Sequence, residues 1–249
     1  MLALNSLPPR TRAVFDALAG NPRMGGFTLI GGTALALQID HRKSEDLDFW
    51  LPAGRLDKSA LAAIVRDLKQ RGLRVEPATA HDRIVQARIN GVDLLAVAQD
   101  YAINGSKVTF FTRNDDAFMH FDTFARLTDS GTAFRILGQE GVFAMKSYVI
   151  HKRARSRDLF DLMTFVKAGK TIGDILRAAA DADPACLPEY AKSVLTGLVP
   201  LDKDDEGFDT VGVQVSVDEI YRFFSHAIDA HEQRIALDIY RSMGKPERA

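Results

Sequence analysis

The 249-residue chain is 46% hydrophobic and 26% charged, which is the composition of a soluble globular protein and excludes a largely disordered chain. Its formal net charge of -1 excludes a globally basic nucleic-acid-binding protein, so any affinity for a polyanion must come from a local patch. The single cysteine excludes an internal disulfide and a cysteine-rich zinc site. No apolar run is long enough to cross a bilayer and the N-terminus lacks a secretory pattern, so we expect a cytoplasmic protein with no membrane or disulfide partner.

The N-terminal half alternates between helical and strand patterns. Prolines at its start and Gly20 at its end predict a helix over 8–20. "FTLIGG" predicts a strand that runs into a turn, "TALALQI" a short helix and "DLDFWL" a second strand. Residues 57–71 predict an amphipathic helix with Asp57 as its N-cap.

Three short strands are predicted next, in "LRVEP", "RIVQARI" and "VDLLAVA". Asn90-Gly91 separates the last two and is a strong hairpin signal, so we expect them to be antiparallel neighbours. Residues 107–112 and 134–138 are expected to add edge strands.

From about residue 139 the pattern becomes helical throughout. The last helix, over 216–243, opens with a capping-box pair, Ser216 and Glu219. The acidic segment "DKDDEG" at 202–207 is expected to be a solvated loop. The sequence therefore predicts an α/β (α+β) fold, with a mixed sheet flanked by helices over 1–138 and a helical domain over 139–249. A ligand is expected in a cleft that the helical domain closes.

The glycine pair at 31–32 lies where a strand passes into a helix. Glycine allows close approach of a ligand to the backbone, and the start of a helix favours phosphate. Thr33 adds a hydroxyl donor. The required glycine and lysine spacings of a dinucleotide fingerprint or a P-loop are absent, and a tight turn without a ligand also fits the pair.

Two carboxylates follow in the second predicted strand. Asp46 and Asp48 are two residues apart and therefore point to the same face of that strand, while Leu47 and Phe49 point to the core. Carboxylates that converge repel each other unless a cation lies between them, and Mg²⁺ prefers such oxygen ligands. Asp93, in the predicted strand "VDLLAVA", is the candidate for a third ligand of a two-metal site.

A second group of charges lies in "AMKSYVIHKRARSRDLFDL" at 144–162. Lys146 is surrounded by apolar residues, where a lysine could reach a triphosphate and offset the charge of a leaving group. Asp158 and Asp161 have helical i, i+3 spacing, share a face and could orient Lys146. The basic residues up to Arg157 also fit a solvated helix end.

These motifs resemble those of nucleotidyltransferases related to DNA polymerase β and, more closely, of the AbiEii-type toxins of type IV toxin–antitoxin and abortive-infection systems. The first family pattern falls on Gly31, Gly32, Thr33, His41, Arg42, Ser44, Asp46 and Asp48. The second falls on Lys146, Arg157, Asp158 and Asp161. The resemblance extends from residue 27 to about residue 165.

The resemblance implies an enzyme that moves a nucleoside monophosphate from an NTP (ATP, GTP or CTP) to an acceptor hydroxyl and releases pyrophosphate. The implied catalytic residues are Asp46, Asp48, Asp93, Lys146, Asp158 and Asp161, of which the first three hold two Mg²⁺ ions, with Mn²⁺ as a substitute. The implied nucleotide-binding residues are Gly31, Gly32, Thr33, Arg42, Ser44, Lys146 and Arg157. The resemblance also implies a tRNA 3′ end as acceptor and an antitoxin protein as partner. Two alternatives stay open: a nucleotidyltransferase that modifies small molecules such as antibiotics, and a catalytically silent nucleotide-binding or interaction module.

Overall fold

A computed structural model describes residues 2–127 and 131–243. These residues form seven strands, which are β1 (Thr28–Ile30), β2 (Leu47–Leu51), β3 (Val75–Pro77), β4 (Ala98–Ile103), β5 (Ser106–Thr112), β6 (Arg126–Leu127) and β7 (Arg135–Leu137). The α-helices of the same residues are α1 (Pro9–Ala19), α2 (Gly31–Ile39), α3 (Lys58–Gln70), α4 (His81–Ile89), α5 (Asp116–Asp122), α6 (Gln139–Val149), α7 (Ser156–Lys167), α8 (Ile172–Ala182), α9 (Pro188–Leu195) and α10 (Val217–Met243).

The strands make one mixed sheet in the order β3-β4-β5-β2-β1-β7-β6. The pairs β1–β7 and β2–β5 are parallel, and the other neighbours are antiparallel. From β7 onward, the described chain is helical or irregular. The predicted mixed α/β fold class is therefore confirmed.

Aromatic residues on one side of the sheet build the core. Phe49 of β2 stacks on Phe110 of β5, with ring centroids 5.5 Å apart, and meets Phe134 edge-on at 4.9 Å. Phe15 of α1 packs against Phe134 at 5.4 Å. This packing fixes β2 at the centre of the sheet, so the residues that alternate with Phe49 lie on the opposite face of the sheet.

The described chain divides into two compact units. One comprises the residues up to Val142 together with Thr210–Gly212, and the other comprises Phe143–Asp209 and the chain from Val213 onward. In the second unit, α7 is largely buried, and its Phe165 packs edge-on against Phe143 of α6. The division into domains at 138/139 stays a prediction.

Most predicted helix boundaries are confirmed, together with their capping residues. Asp57 accepts hydrogen bonds from the backbone N–H groups of Ser59 and Ala60 at the start of α3. Ser216 and Glu219 form the predicted reciprocal capping bonds before α10. No helix in the described ranges combines the length and the apolar character needed to span a bilayer.

The predicted hairpin over residues 83–98 is wrong. Residues 81–89 form helix α4, which ends at Asn90, and Gly91 adopts φ +73° after it. Asn-Gly serves here as a helix stop, because a left-handed residue ends a helix as readily as it closes a hairpin. The hairpin lies instead at Asn104-Gly105, where both residues have positive φ and Ile103 pairs with Ser106. Residues 107–112 and 134–138 were expected at edges, but β5 and β7 lie inside the sheet.

Candidate active site

The candidate site begins at the glycine pair, where β1 ends and α2 starts. Gly31 has φ +73°, a conformation that residues with a Cβ rarely adopt. The Oδ2 atom of Asp48 lies 3.5 Å from the position that a Cβ on Gly31 would take. At Gly32 a Cβ would lie 2.0 Å from Nη2 of Arg42. Gly32 thus leaves room for a guanidinium, and Gly31 lies within contact distance of a carboxylate.

The sheet register sets Asp48 beside this turn. Asp48 of β2 pairs with Ile30 of β1, which directly precedes Gly31. Asp46 and Asp48 are both half-buried, whereas Leu47 and Phe49 are fully buried. This alternation directs the two carboxylates to the same side of the chain, away from the aromatic core.

A hydroxyl pair fixes the segment that leads into β2. The Thr33 hydroxyl donates its proton to the backbone carbonyl of Asp46. It must therefore accept from Ser44, whose Oγ lies 2.6 Å from Oγ1 of Thr33. Thr33 was expected to donate to phosphate, but its single proton is used to position Asp46.

Arg42 reaches the turn from the same segment. Its side chain is buried, and Nη1 donates to the carbonyl oxygen of Lys43 at 2.9 Å. Gly32 leaves room for the rest of the guanidinium group. Asp46, Asp48 and Arg42 each make further polar contacts.

Asp93 is not placed as the sequence predicted. It precedes a 3-10 turn over Leu94–Ala96 rather than lying in a strand. Its Oδ2 is 2.9 Å from Nζ of Lys58 and 3.6 Å from Nη2 of Arg55. The hydrogen bond from Lys58, together with both positive charges, lowers the pKa of Asp93.

The predicted trio of Asp46, Asp48 and Asp93 does not form a metal-binding group. Among residues 2–127 and 131–243, no three Asp, Glu, His or Cys side chains are arranged so that they could hold a metal ion. The prediction that Asp93 supplies a third carboxylate is thus wrong, because it rested on a strand to which Asp93 does not belong.

The residues that sequence reasoning missed lie in the same row of the sheet as Asp48. Thr109 of β5 pairs with Asp48, and Asp100 of β4 pairs with Thr109. The Thr109 hydroxyl donates to Oδ1 of Asp100 at 2.9 Å, and Arg83 pairs with Oδ2 at 3.3 Å. The Asp100 side chain is only 12% exposed. The Asn-Gly pair at 104–105 was the signal that could have revealed β4 and, with it, this row.

In the second unit, Lys146 is enclosed by the two acids that were predicted to orient it. Its Nζ lies 2.5 Å from Oδ1 of Asp158 and 2.7 Å from Oδ2 of Asp161, and all three side chains are at most 6% exposed. Nε of Arg153 lies 2.8 Å from Oδ2 of Asp158. Burial raises the pKa of Asp158, but the charges of Lys146 and Arg153 and their hydrogen bonds outweigh it and hold that pKa below its ordinary value.

Arg157, predicted to neutralise phosphate, pairs within the same unit with the acidic segment that was expected to be solvated. Its Nη1 lies 2.6 Å from Oε2 of Glu206, and its Nε donates to the carbonyl oxygen of Gly207 at 2.9 Å. The segment is a loop with exposed acids, as expected, and it also makes ion pairs that the sequence did not predict.

Three comparisons place the chain among known proteins. A search of curated proteins gives no match. Among solved structures, JHP933 from Helicobacter pylori is 16% identical, with a TM-score of 0.47, over 97% of this chain and 100% of that one. MenT4, a nucleotidyltransferase toxin from Mycobacterium tuberculosis, is 14% identical, with a TM-score of 0.47, over 91% of this chain and 88% of that one.

The third comparison identifies the family. The family model described as "Nucleotidyl transferase AbiEii toxin, Type IV TA system" matches residues 12–185, which is more than half of the 249-residue chain. The match includes the glycine turn, the Asp46–Asp48 pair and the buried cluster around Lys146. The chain therefore belongs to the AbiEii family of nucleotidyltransferase toxins of type IV toxin–antitoxin systems.

Proposed function

We propose that the protein is a Mg²⁺-dependent nucleotidyltransferase that moves a nucleoside monophosphate from an NTP to an acceptor hydroxyl on RNA. The observation that carries the proposal is the position of Asp48. Its carboxylate lies against Gly31, at the N-terminus of α2, on the same side of the chain as Asp46.

The donor set fits a divalent ion. Mg²⁺ is held in many phosphate-transfer sites by one or two carboxylates, with water and substrate phosphates as the remaining ligands. Asp46 and Asp48 supply two carboxylates, and a third from the protein is not required. A bound pair of Mg²⁺ ions, or Mn²⁺ in their place, would neutralise the triphosphate and the charge that develops during transfer.

The glycine turn and the neighbouring Arg42 supply the remaining groups that bind phosphate. Backbone N–H groups at Gly31 and Gly32, at the positive end of α2, bind phosphate oxygens. Arg42 adds a guanidinium directly beside Gly32. In the second unit, the charges of Lys146, Asp158 and Asp161 pair with one another, so we assign to this cluster the packing of α6 against α7.

The transfer is a single displacement. The acceptor oxygen forms a bond to the α-phosphorus, the bond between that phosphorus and the bridging oxygen breaks, and pyrophosphate leaves with the electron pair. The proton of the acceptor hydroxyl passes to a carboxylate of the Asp46–Asp48 pair. Positioning and charge stabilisation supply most of the rate in such reactions, which is why the chain needs no nucleophile of its own.

The test is transfer of label from each of the four α-³²P-labelled NTPs to total RNA in the presence of Mg²⁺. Asp48→Asn removes the charge with little change in shape, and we expect it to lower the rate about 10²–10³-fold, as for the loss of one electrostatic group at a transfer site. Glu45→Gln is the matched control, because Glu45 is a neighbouring acid whose carboxylate pairs with Arg10.

Each other outcome has a defined meaning. Equal labelling by wild type and Asp48→Asn would show that the acids are misassigned. Labelling of small hydroxylated compounds but not of RNA would favour the small-molecule alternative. Mg²⁺-dependent NTP binding without pyrophosphate release would favour the silent module. An antitoxin partner is implied by the family, and co-purification with a protein that suppresses labelling would support it.

A further inference from the structure

Two segments of opposite charge run side by side in the second unit. The basic segment, residues 152–157, carries Lys152, Arg153, Arg155 and Arg157. The acidic loop, residues 202–206, carries Asp202, Asp204, Asp205 and Glu206. Both segments lie within Phe143–Asp209, so their contacts are internal to one unit.

The two segments are paired in matching order. Arg155 Nη2 lies 2.5 Å from Oδ2 of Asp204, and Arg157 Nη1 lies 2.6 Å from Oε2 of Glu206. Between these ion pairs, the backbone N–H and the hydroxyl of Ser156 both donate to Oδ1 of Asp205 at 3.0 Å. At the start of the ladder, the N–H of Ala154 donates to Oδ1 of Asp202 at 3.3 Å, and the N–H of Asp202 donates to the carbonyl of Ala154 at 2.8 Å.

The contacts divide into anchors and exposed ion pairs. Asp202 and Asp205 bind backbone groups and so hold the loop, and Asp205 satisfies the first N–H of α7. Asp202 also lies 3.7 Å from Nε of Arg155. Asp204 and Glu206 are different, because their side chains are 73% and 48% exposed, whereas those of their partners Arg155 and Arg157 are 27% and 16% exposed. Exposed ion pairs are screened by water and stabilise little, so another anion can replace these two carboxylates without unfolding the loop's anchors.

Arg155 and Arg157 are suited to such an exchange. Guanidinium groups bind carboxylate and phosphate oxygens with the same fork of N–H donors. Lys152 and Arg153, each 47% exposed, lie on the N-terminal side and pair with Asp183 and Asp158. A strand of phosphates would contact several of these cations at once and would gain from the release of its counterions, whereas each carboxylate of the loop neutralises one.

We propose that the basic segment is a binding surface for RNA phosphates and that the acidic loop is a tethered competitor, which occupies Arg155 and Arg157 until RNA displaces Asp204 and Glu206. The choice of RNA rests on the proposed function, whereas the test below measures binding alone. The loop thus weakens binding of short or isolated anions and favours ligands that offer several phosphates together.

The decisive variant is Asp204→Asn/Glu206→Gln, which removes both exposed charges and keeps the anchors Asp202 and Asp205. Its matched control is Asp181→Asn/Asp229→Asn, which changes two exposed helical acids and shifts the net charge equally. Binding of fluorescently labelled tRNA and of a labelled single-stranded RNA is measured by anisotropy between 50 and 300 mM KCl. Circular dichroism and Tm confirm that each variant folds.

We expect the loop variant to bind RNA about tenfold more tightly at about 150 mM salt than wild type. The slope of log Kd against log salt should stay close to that of wild type, because RNA contacts Arg155 and Arg157 in both proteins once the loop carboxylates are displaced. The control should stay within about twofold of wild type. Adding Arg155→Gln/Arg157→Gln to the loop variant should abolish the gain.

An affinity that matches that of the control would overturn the inference. A polyglutamate peptide that binds the loop variant as tightly as RNA does would also overturn it, because the ligand would then be an acidic protein. If wild type transfers label to RNA but the loop variant binds RNA no more tightly, the proposed function is supported and the inference about the loop is rejected. A gain in RNA binding without any transfer would reject the proposed function and support the surface.

Discussion

The two glycines of the turn are needed for different physical reasons. Gly31 has a left-handed backbone, which any L side chain would strain. Gly32 does not have a left-handed backbone. Glycine is needed there because a side chain would collide with the guanidinium of Arg42. A substitution at Gly32 therefore displaces a functional group, whereas one at Gly31 strains the chain itself.

We predict that Gly32→Ala raises the KM for NTP at least tenfold while it changes Tm little. The new methyl group would lie 2.0 Å from Nη2 of Arg42, and the end of a long side chain can move at small energetic cost. Steady-state kinetics and thermal unfolding check the two parts separately. Gly54→Ala is the control, because its added Cβ would meet only Nδ2 of Asn114, at 3.9 Å. An unchanged KM in Gly32→Ala would remove Arg42 from nucleotide binding.

At the scale of single residues, the sequence predicts those features that depend only on the spacing of residues along the chain. Asp46 and Asp48 share a side because strand residues alternate, and that rule needs no tertiary information. The use of the Thr33 proton by the Asp46 carbonyl is different, since it depends on how two distant segments meet. No spacing rule encodes such a hydrogen bond.

At the scale of elements, helices α6 and α7 are joined by a buried charge cluster. Lys146 comes from α6, whereas Asp158 and Asp161 come from successive turns of α7. Charges taken out of water stabilise a fold only while every partner is present. The cluster therefore makes the packing of the two helices depend on protonation.

We predict that Asp158→Asn destabilises the protein by about 3 kcal/mol at pH 7, because it leaves buried cations with one carboxylate fewer. The folded-state pKa of Asp158 lies below the ordinary value of 3.8, so its contribution is complete above that pH and is lost as pH falls through the lowered pKa. The difference between wild type and variant should therefore shrink only below about pH 4. Urea unfolding from pH 7 to pH 3 measures it, with the exposed Asp181→Asn as control. A difference that disappears between pH 7 and pH 5 would contradict the lowered pKa.

The incorrectly predicted hairpin shows that short sequence motifs alone do not decide which segments become strands. The chain contains Asn-Gly twice in this region, once after α4 and once between β4 and β5. Both pairs allow positive φ, and only the flanking residues that find partners in the sheet decide which pair closes a hairpin. Sequence reasoning chose the first pair, and so it placed Asp93 in a strand and missed Asp100.

At the scale of the whole molecule, the sheet is completed by a strand pairing between distant parts of the chain. β1 pairs with β2 about 20 residues later, but its other edge pairs with β7, where Thr28 meets Arg135. Phe134, next to that strand, also packs against Phe15 and Phe49. The sheet and its aromatic core are therefore both incomplete until residues 134–137 are in place.

We predict that a fragment ending at residue 142 is several-fold more soluble than one ending at residue 132. The shorter fragment lacks β7 and Phe134, which leaves an open apolar edge beside Leu29. The soluble fraction after expression and the heteronuclear NMR spectrum of each fragment provide the measurement. Equal solubility and equal spectral dispersion would show that β7 is dispensable for the N-terminal sheet.

Because β7 is synthesised long after β1, its pairing partner, the topology of the sheet has a consequence during translation. Residues 28 and 135 are 107 positions apart, and ribosomes add about 5–20 residues per second, so a nascent chain waits roughly 5–20 s between making β1 and making its outer neighbour. During that interval the unfinished sheet offers Leu29 and its unpaired backbone to any chaperone near the exit tunnel. A cell that slows translation before residue 134 would lengthen this exposure, and with it the time in which the growing polypeptide can be degraded before it becomes a toxin.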